Sequence, residues 1–193
     1  MSETSLEYLR SGELLSRQNS RLLVVDVQEK LLPHIPVAEQ LVDNCRRLIE
    51  AAKILGIPVD GTVHYPRGLG VMTEQLAELL GPLTEKLRFS AAEVLDWPAA
   101  AARDDDRDQV VVAGIETHVC VQQTVLDLLS QGYRVYVPAD AVASCRKLDW
   151  KMALERMANC GAMLTTAESM LFEWCEVADT PEFKQVLDLI RPG

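Results

Sequence analysis

Three residues of this sequence carry side chains whose types suit covalent chemistry: Asp26, Lys86 and Cys120. Cys120 stands in VVVAGIETHVCVQQT, where an apolar run passes through Gly114 into a helical pattern. Thr117 fits an N-cap, which puts Cys120 in the first helical turn. Exposed backbone N–H groups and the helix dipole there favour a thiolate over a thiol. The same position also suits a small side chain packed under the helix start. Asp26 closes the apolar run RLLVVDV. A carboxylate so placed faces a cleft or is paired inside, because an unpaired buried charge is very costly. Lys86, in EKLRFS, has the type but no distinguishing setting of its own. Together the three compose a mechanism. Asp26 takes the thiol proton, Lys86 stabilises charge between them and keeps Asp26 ionised, and Cys120 attacks a carbonyl.

For these side chains to meet, several strand ends must converge. Residues 21–27 are continuously apolar, as in a strand covered on both faces. Residues 37–55 carry Leu41, Cys45, Leu48, Ile49, Ala52 and Leu55 at helical spacing and stop at Gly56. Strands follow at 57–63, 84–89, 109–113, 133–138 and 163–165. Helical segments are expected at 72–80, 118–131, 148–160, 167–175 and 181–190, with a helical turn at 97–102. Alternation of this kind predicts an α/β fold: a three-layer αβα sandwich around a mostly parallel, Rossmann-like sheet. Ligands of such folds bind outside the carboxyl ends of the strands. That directs attention to Asp26, His64-Tyr65, residues 86–90, residues 114–120 and Asp140. Neither GxGxxG nor GxxxxGK[ST] occurs, which weakens nucleotide readings.

The length of 193 residues suits one domain, expected at 21–193, preceded by a polar N-terminal arm at 1–20 outside the core. A net charge of -10 and the acidic run at 103–108 oppose a nucleic-acid surface. No apolar stretch approaches the ~20 residues of a bilayer span, and the N-terminus lacks the order of a signal peptide. The expected compartment is cytoplasmic. Five cysteines without a CxxC predict free thiols rather than a zinc cage or disulfide framework. Trp174, Leu171, Phe172, Phe183, Val186, Leu187 and Ile190 supply a C-terminal apolar face through which the chain is expected to form a homo-oligomer, although each residue equally suits packing back on the chain's own sheet.

The segments VVDVQ, KxxFS around Lys86, and AGIETHVCVQQT followed by GYRVYVPADAVAS resemble the isochorismatase-like hydrolases. The resemblance runs over roughly residues 20–190. It is closest to the isochorismatase domain-containing proteins, through HYPRGLG, GIETHVC and LERMANCGAMLTTAES. It implies a catalytic triad of Asp26, Lys86 and Cys120, a thioester intermediate, and a small amide or related C–N carbonyl substrate. It also implies a cis peptide between Ile115 and Glu116, with the Glu116 and Cys120 backbone amides forming an oxyanion hole. Gly114 would let the strand bend there without a Cβ clash. Isochorismatase proper cleaves a vinyl ether without needing the cysteine, so Cys120 favours C–N hydrolysis. A non-catalytic interaction or regulatory domain and a vinyl-ether hydrolase are the competing readings.

Nicotinamidases of the same fold carry an Asp-x-His metal site after strand two, where this chain reads GTVHYP. With His34, His64 and His118 its only histidines, no metal and no cofactor are expected. Where relatives often read TEQYP, His64 is a candidate substrate contact beside Tyr65, and Phe89 a further pocket residue. His118, two residues before the thiol, is a candidate for tuning it. Each also reads as a packing residue on its spacing alone, and helix-start packing is the stronger reading of His118.

Overall fold

The computed structural model describes residues 8–191. The first strand, β1 (Ser20–Val25), leads to α1 (Ala38–Ile54), β2 (Val59–His64), α2 (Pro66–Leu69), α3 (Glu74–Leu80) and β3 (Thr84–Lys86). Then come β4 (Gln109–Ile115), α4 (Gln122–Ser130), β5 (Arg134–Pro138), β6 (Val142–Ala143), α5 (Lys147–Asn159), β7 (Met163–Thr165), α6 (Ala167–Cys175) and α7 (Pro181–Ile190). The strands run β3-β2-β1-β4-β5-β7, with β6 paired to β4, and every pairing is parallel.

The strand pleat divides the core. Leu22 and Val24 point to a face covered by Leu48 and Ile49 of α1, Leu76 of α3, Trp174 of α6 and Val186 of α7. Leu23 and Val25 point to the other, covered by Val125 and Leu128 of α4 and Leu154 and Met157 of α5. Strands β1 and β4 occupy the centre, which is why Leu22–Val25 and Val110–Ala113 are continuously apolar. This is the three-layer arrangement that the alternation predicts.

Four expectations change. The boundary between arm and domain falls before residue 21: Leu15 is fully buried, and Ser20 opens β1. Residues 1–7 of the expected arm, and 192–193 of the domain, lie outside the described residues. The strand expected over 84–89 stops at Lys86, because its ammonium draws the carbonyls of Arg88 and Phe89 back over itself. The helix expected over 118–131 begins with a π turn, Thr117–Val121, in which Glu116 O accepts from both Val119 N and Val121 N. Finally, Trp174, Leu171 and Val186 are not an outer face. They are buried in the chain's own core, and Trp174 Nε1 donates to Ser20 Oγ at 2.9 Å.

Candidate active site

Asp26 follows β1 with a left-handed φ of 54°, which turns the chain out of the sheet at its carboxyl edge. Its amide donates to Thr62 O at 3.1 Å, and Thr62 Oγ1 donates to its Oδ1 at 2.8 Å. Lys86 Nζ lies 2.6 Å from Oδ2, and both side chains are fully buried. Strand register produces this meeting: Val25 pairs with Thr62, and His64 with Lys86. The ammonium also donates to Phe89 O at 2.7 Å and Arg88 O at 3.3 Å. Two of its protons thus have carbonyl acceptors, and its charge is set against the carboxylate. Asp26 Oδ2, although so near the ammonium, has no partner in hydrogen-bond geometry.

Cys120 arrives from the central strand. Gly114, at φ 122°, lies so close to β1 that a Cβ there would stand 2.0 Å from Val25 O. Glycine is therefore required for β4 to deliver the next residues beside Asp26. The Ile115–Glu116 peptide is cis, and the π turn follows. Cys120 is buried, and burial together with the charge of Asp26 pushes its thiol up to about 12, against an opposing pull from Lys86. The sulfur is consequently a thiol at rest, not the thiolate expected from a helix start. Desolvation of the anion outweighs the dipole and the lysine. The expected N-cap changes as well. Glu116 holds that position without a side-chain cap bond, and Thr117 Oγ1 is buried with no partner.

Several residues that sequence reasoning passed over hold this site together. Thr124 Oγ1 donates to Cys120 O at 2.7 Å and accepts from Ala91 N at 2.8 Å, tying the loop after β3 to the turn that carries Cys120. Its spacing of four from Cys120 is a readable back-bonding signal; the contact with Ala91 is not. Gln28 clamps the end of β2, accepting from His64 N at 2.7 Å and donating to His64 O and Gly70 O. Thr62, a lone hydroxyl in a buried strand, was a second available signal.

The candidate pocket residues divide. His64 and Phe89 stand together beside Lys86, ring centroids 5.2 Å apart. Burial and then the charge of Lys86 hold the His64 imidazole below its usual range, and its Nδ1 is buried without a partner. Tyr65 is half exposed. It lines a cavity of about 850 Å³ with Pro66, Arg67, Lys86, Arg88 and Glu93, and Cys120 is not among its lining residues. His118 turns away from the thiol: its Nδ1 is 3.0 Å from Ser144 Oγ. The Glu116 carboxylate accepts from Cys145 N at 2.8 Å, a structural tie to the loop after β6. Asp140 is also structural, capping α6 through Ala167 N. A second cavity of about 500 Å³, mostly apolar, lies between Val37, Val142, Trp150 and Lys147. Among the described residues no group of three or more His, Cys, Asp or Glu is placed to hold a metal ion, and no helix is long and apolar enough to cross a membrane.

Comparison with known proteins agrees with this architecture. Residues 20–169 match the isochorismatase domain model. Isochorismatase domain-containing protein 1 of Danio rerio is 37% identical over 92% of this chain, which spans 62% of that relative's length. A secreted isochorismatase effector, Isc1, of Phytophthora sojae is 35% identical over 94% of this chain and 89% of its own. The solved structure of the MAR1 ribonuclease from Caenorhabditis elegans superposes with a TM-score of 0.83 at 38% identity, covering 92% of each chain.

Proposed function

We propose that this chain, which belongs to the isochorismatase family, is a cysteine-dependent hydrolase of a small amide or related C–N carbonyl compound. Asp26, Lys86 and Cys120 are its catalytic residues on this reading. One observation carries it: a fully buried Lys86–Asp26 ion pair at 2.6 Å, set against a thiol on which both charges act. Asp26 Oδ2, without a hydrogen bond of its own, is the atom to receive the Cys120 proton. The thiolate so formed is paired with Lys86 and attacks the carbonyl carbon. The oxyanion is received by the Glu116 and Cys120 backbone amides. Collapse expels the amine, which takes the proton from Asp26 and leaves a thioester. Asp26 then deprotonates a water, whose attack releases the acid and restores the thiol.

His64 and Phe89 form the wall beside Lys86 on this reading, while Tyr65 belongs to the outer opening. The name of the C. elegans neighbour raises RNA as a substrate. A net charge of -10 weighs against a surface that must hold a polyanion. Reaction in the cytoplasm is part of the same proposal, supported by five free thiols. So is self-association, supported by apolar side chains that remain exposed, Phe172 beside Phe183 among them. Sedimentation at micromolar concentration showing only a 21.4 kDa species contradicts it.

The test is a panel of small amides and carbamoyl compounds incubated with wild type and Cys120→Ala. Release of amine or ammonia by wild type that is lost in the variant is the expected result. A non-catalytic domain turns over nothing in either form. A vinyl-ether hydrolase acts on its ether with or without Cys120.

A further inference from the structure

We infer that the acyl part of the substrate, next to the reacting carbonyl, is uncharged, so that carboxylate-bearing compounds are excluded from this site. The inference rests on the triad reading above and deepens it. It follows from counting charges. Lys86 is the one buried cation among the described residues. Its ammonium lies 2.6 Å from the Asp26 carboxylate and donates to the carbonyls of Phe89 and Arg88. The one positive charge is already set against one negative charge, and no second cation is left to balance a substrate carboxylate.

The count stays closed through the reaction. At rest the site holds one ammonium, one carboxylate and one neutral thiol. After proton transfer it holds the ammonium, a neutral Asp26 and a thiolate. The sum is zero in both states, and the lysine always has one anionic partner. A substrate carboxylate would make it negative in a buried place, where an unpaired charge costs heavily.

Nearby cations do not supply the missing partner. Arg88 points outward and pairs with Glu93 at 2.5 Å. Lys30 donates to Gly68 O at 3.0 Å on the surface. Arg67 is exposed on the outer cavity, and Lys147 opens on the apolar one. His64, the remaining candidate, is held neutral by burial and by Lys86. What stands beside Lys86 instead is the Phe89 ring packed on the His64 imidazole, neighbours suited to an uncharged group. The same count favours release of the acid product, which leaves as an anion that the site does not retain.

Two alkylating agents of nearly equal size read this directly. Iodoacetamide is neutral and iodoacetate is anionic. With either, the Cys120 sulfur forms a bond to the CH2 carbon as iodide leaves, and the thiol proton passes to Asp26 or solvent. Cys160 is exposed and serves as reference within the same wild-type molecule. Peptide mass spectrometry at moderate salt gives both rates at both cysteines. The expected iodoacetamide-to-iodoacetate ratio at Cys120 exceeds that at Cys160 by about tenfold or more. Equal ratios at the two cysteines, with Cys120 labelled by both reagents, overturn the inference and leave the nucleophile reading standing. Failure of both reagents to label Cys120, while Cys160 reacts, overturns the nucleophile reading and the inference with it.

Discussion

The two ends of the sheet each bury a polar cluster, and they are built to opposite rules. At the amino end Ser20, Gln109, Tyr136 and Trp174 are neutral, and every polar side-chain atom of these four has a partner; Arg21 beside them in β1 leaves its Nε over. Gln109 Oε1 accepts from Ser16 N and Ser20 Oγ, and its Nε2 donates to Leu14 O and Tyr136 Oη. Tyr136 Oη donates on to Glu13 O, and Trp174 Nε1 to Ser20 Oγ. At the carboxyl end the cluster is charged, and Asp26 Oδ2, His64 Nδ1 and Thr117 Oγ1 are left over. A closed neutral network holds strands and termini in place. A charged one with unspent hydrogen-bonding capacity is what a reacting group requires. On the reading proposed above, the first cluster serves structure and the second chemistry.

Substitutions at the two ends should therefore fail differently. Cys120→Ala should reduce amide turnover by roughly 10^4-fold or more, with little change in thermal midpoint. A variant that keeps substantial turnover removes the distinction. Asp26→Asn leaves Lys86 buried without its anion and should cost about 3–5 kcal/mol of stability, as well as activity; denaturant titration reads the first. Gln109→Ala, at the opposite end, should cost about 1–3 kcal/mol while the turnover of the folded fraction stays at wild type. A loss of turnover at constant stability would tie that network to the chemistry. The smallest effect belongs to His64→Gln. Because the folded protein holds His64 below its ordinary 6.5, the unfolded chain binds the proton more readily. Wild type therefore loses stability as pH falls through the window below 6.5, and the glutamine variant lacks that loss. The stability of wild type relative to His64→Gln should decrease from pH 7 to pH 5.5, and a constant difference contradicts the assignment of a neutral imidazole.

How much of this was legible in the sequence depends on the range of the interactions. Asp26 and Cys120 stood out because each ends or follows a strand whose apolar run is unmistakable. Lys86 carried no local signal and was found through its KxxFS setting. Its burial comes from register with His64 and from carbonyls that fold back after it. The protonation state of Cys120 was misjudged for a similar reason. Helix position is local, whereas the burial and the Asp26 carboxylate that dominate come from residues distant in the chain. Trp174 stayed open between an association face and the chain's own core because its partner, Ser20, is 154 residues away. The π turn has no pattern distinct from an α-helix over five residues.

The central claim, that Cys120 is the atom acylated in turnover, is tested most directly with a neutral activated ester. Wild type is mixed with p-nitrophenyl acetate, quenched in acid and digested, and the acetyl group is located by peptide mass. The account predicts a burst of p-nitrophenolate with acetyl on the Cys120 peptide, both absent in Cys120→Ala. Acetyl on Cys145, Cys160 or surface lysines, with Cys120 unmodified throughout the burst, would contradict it.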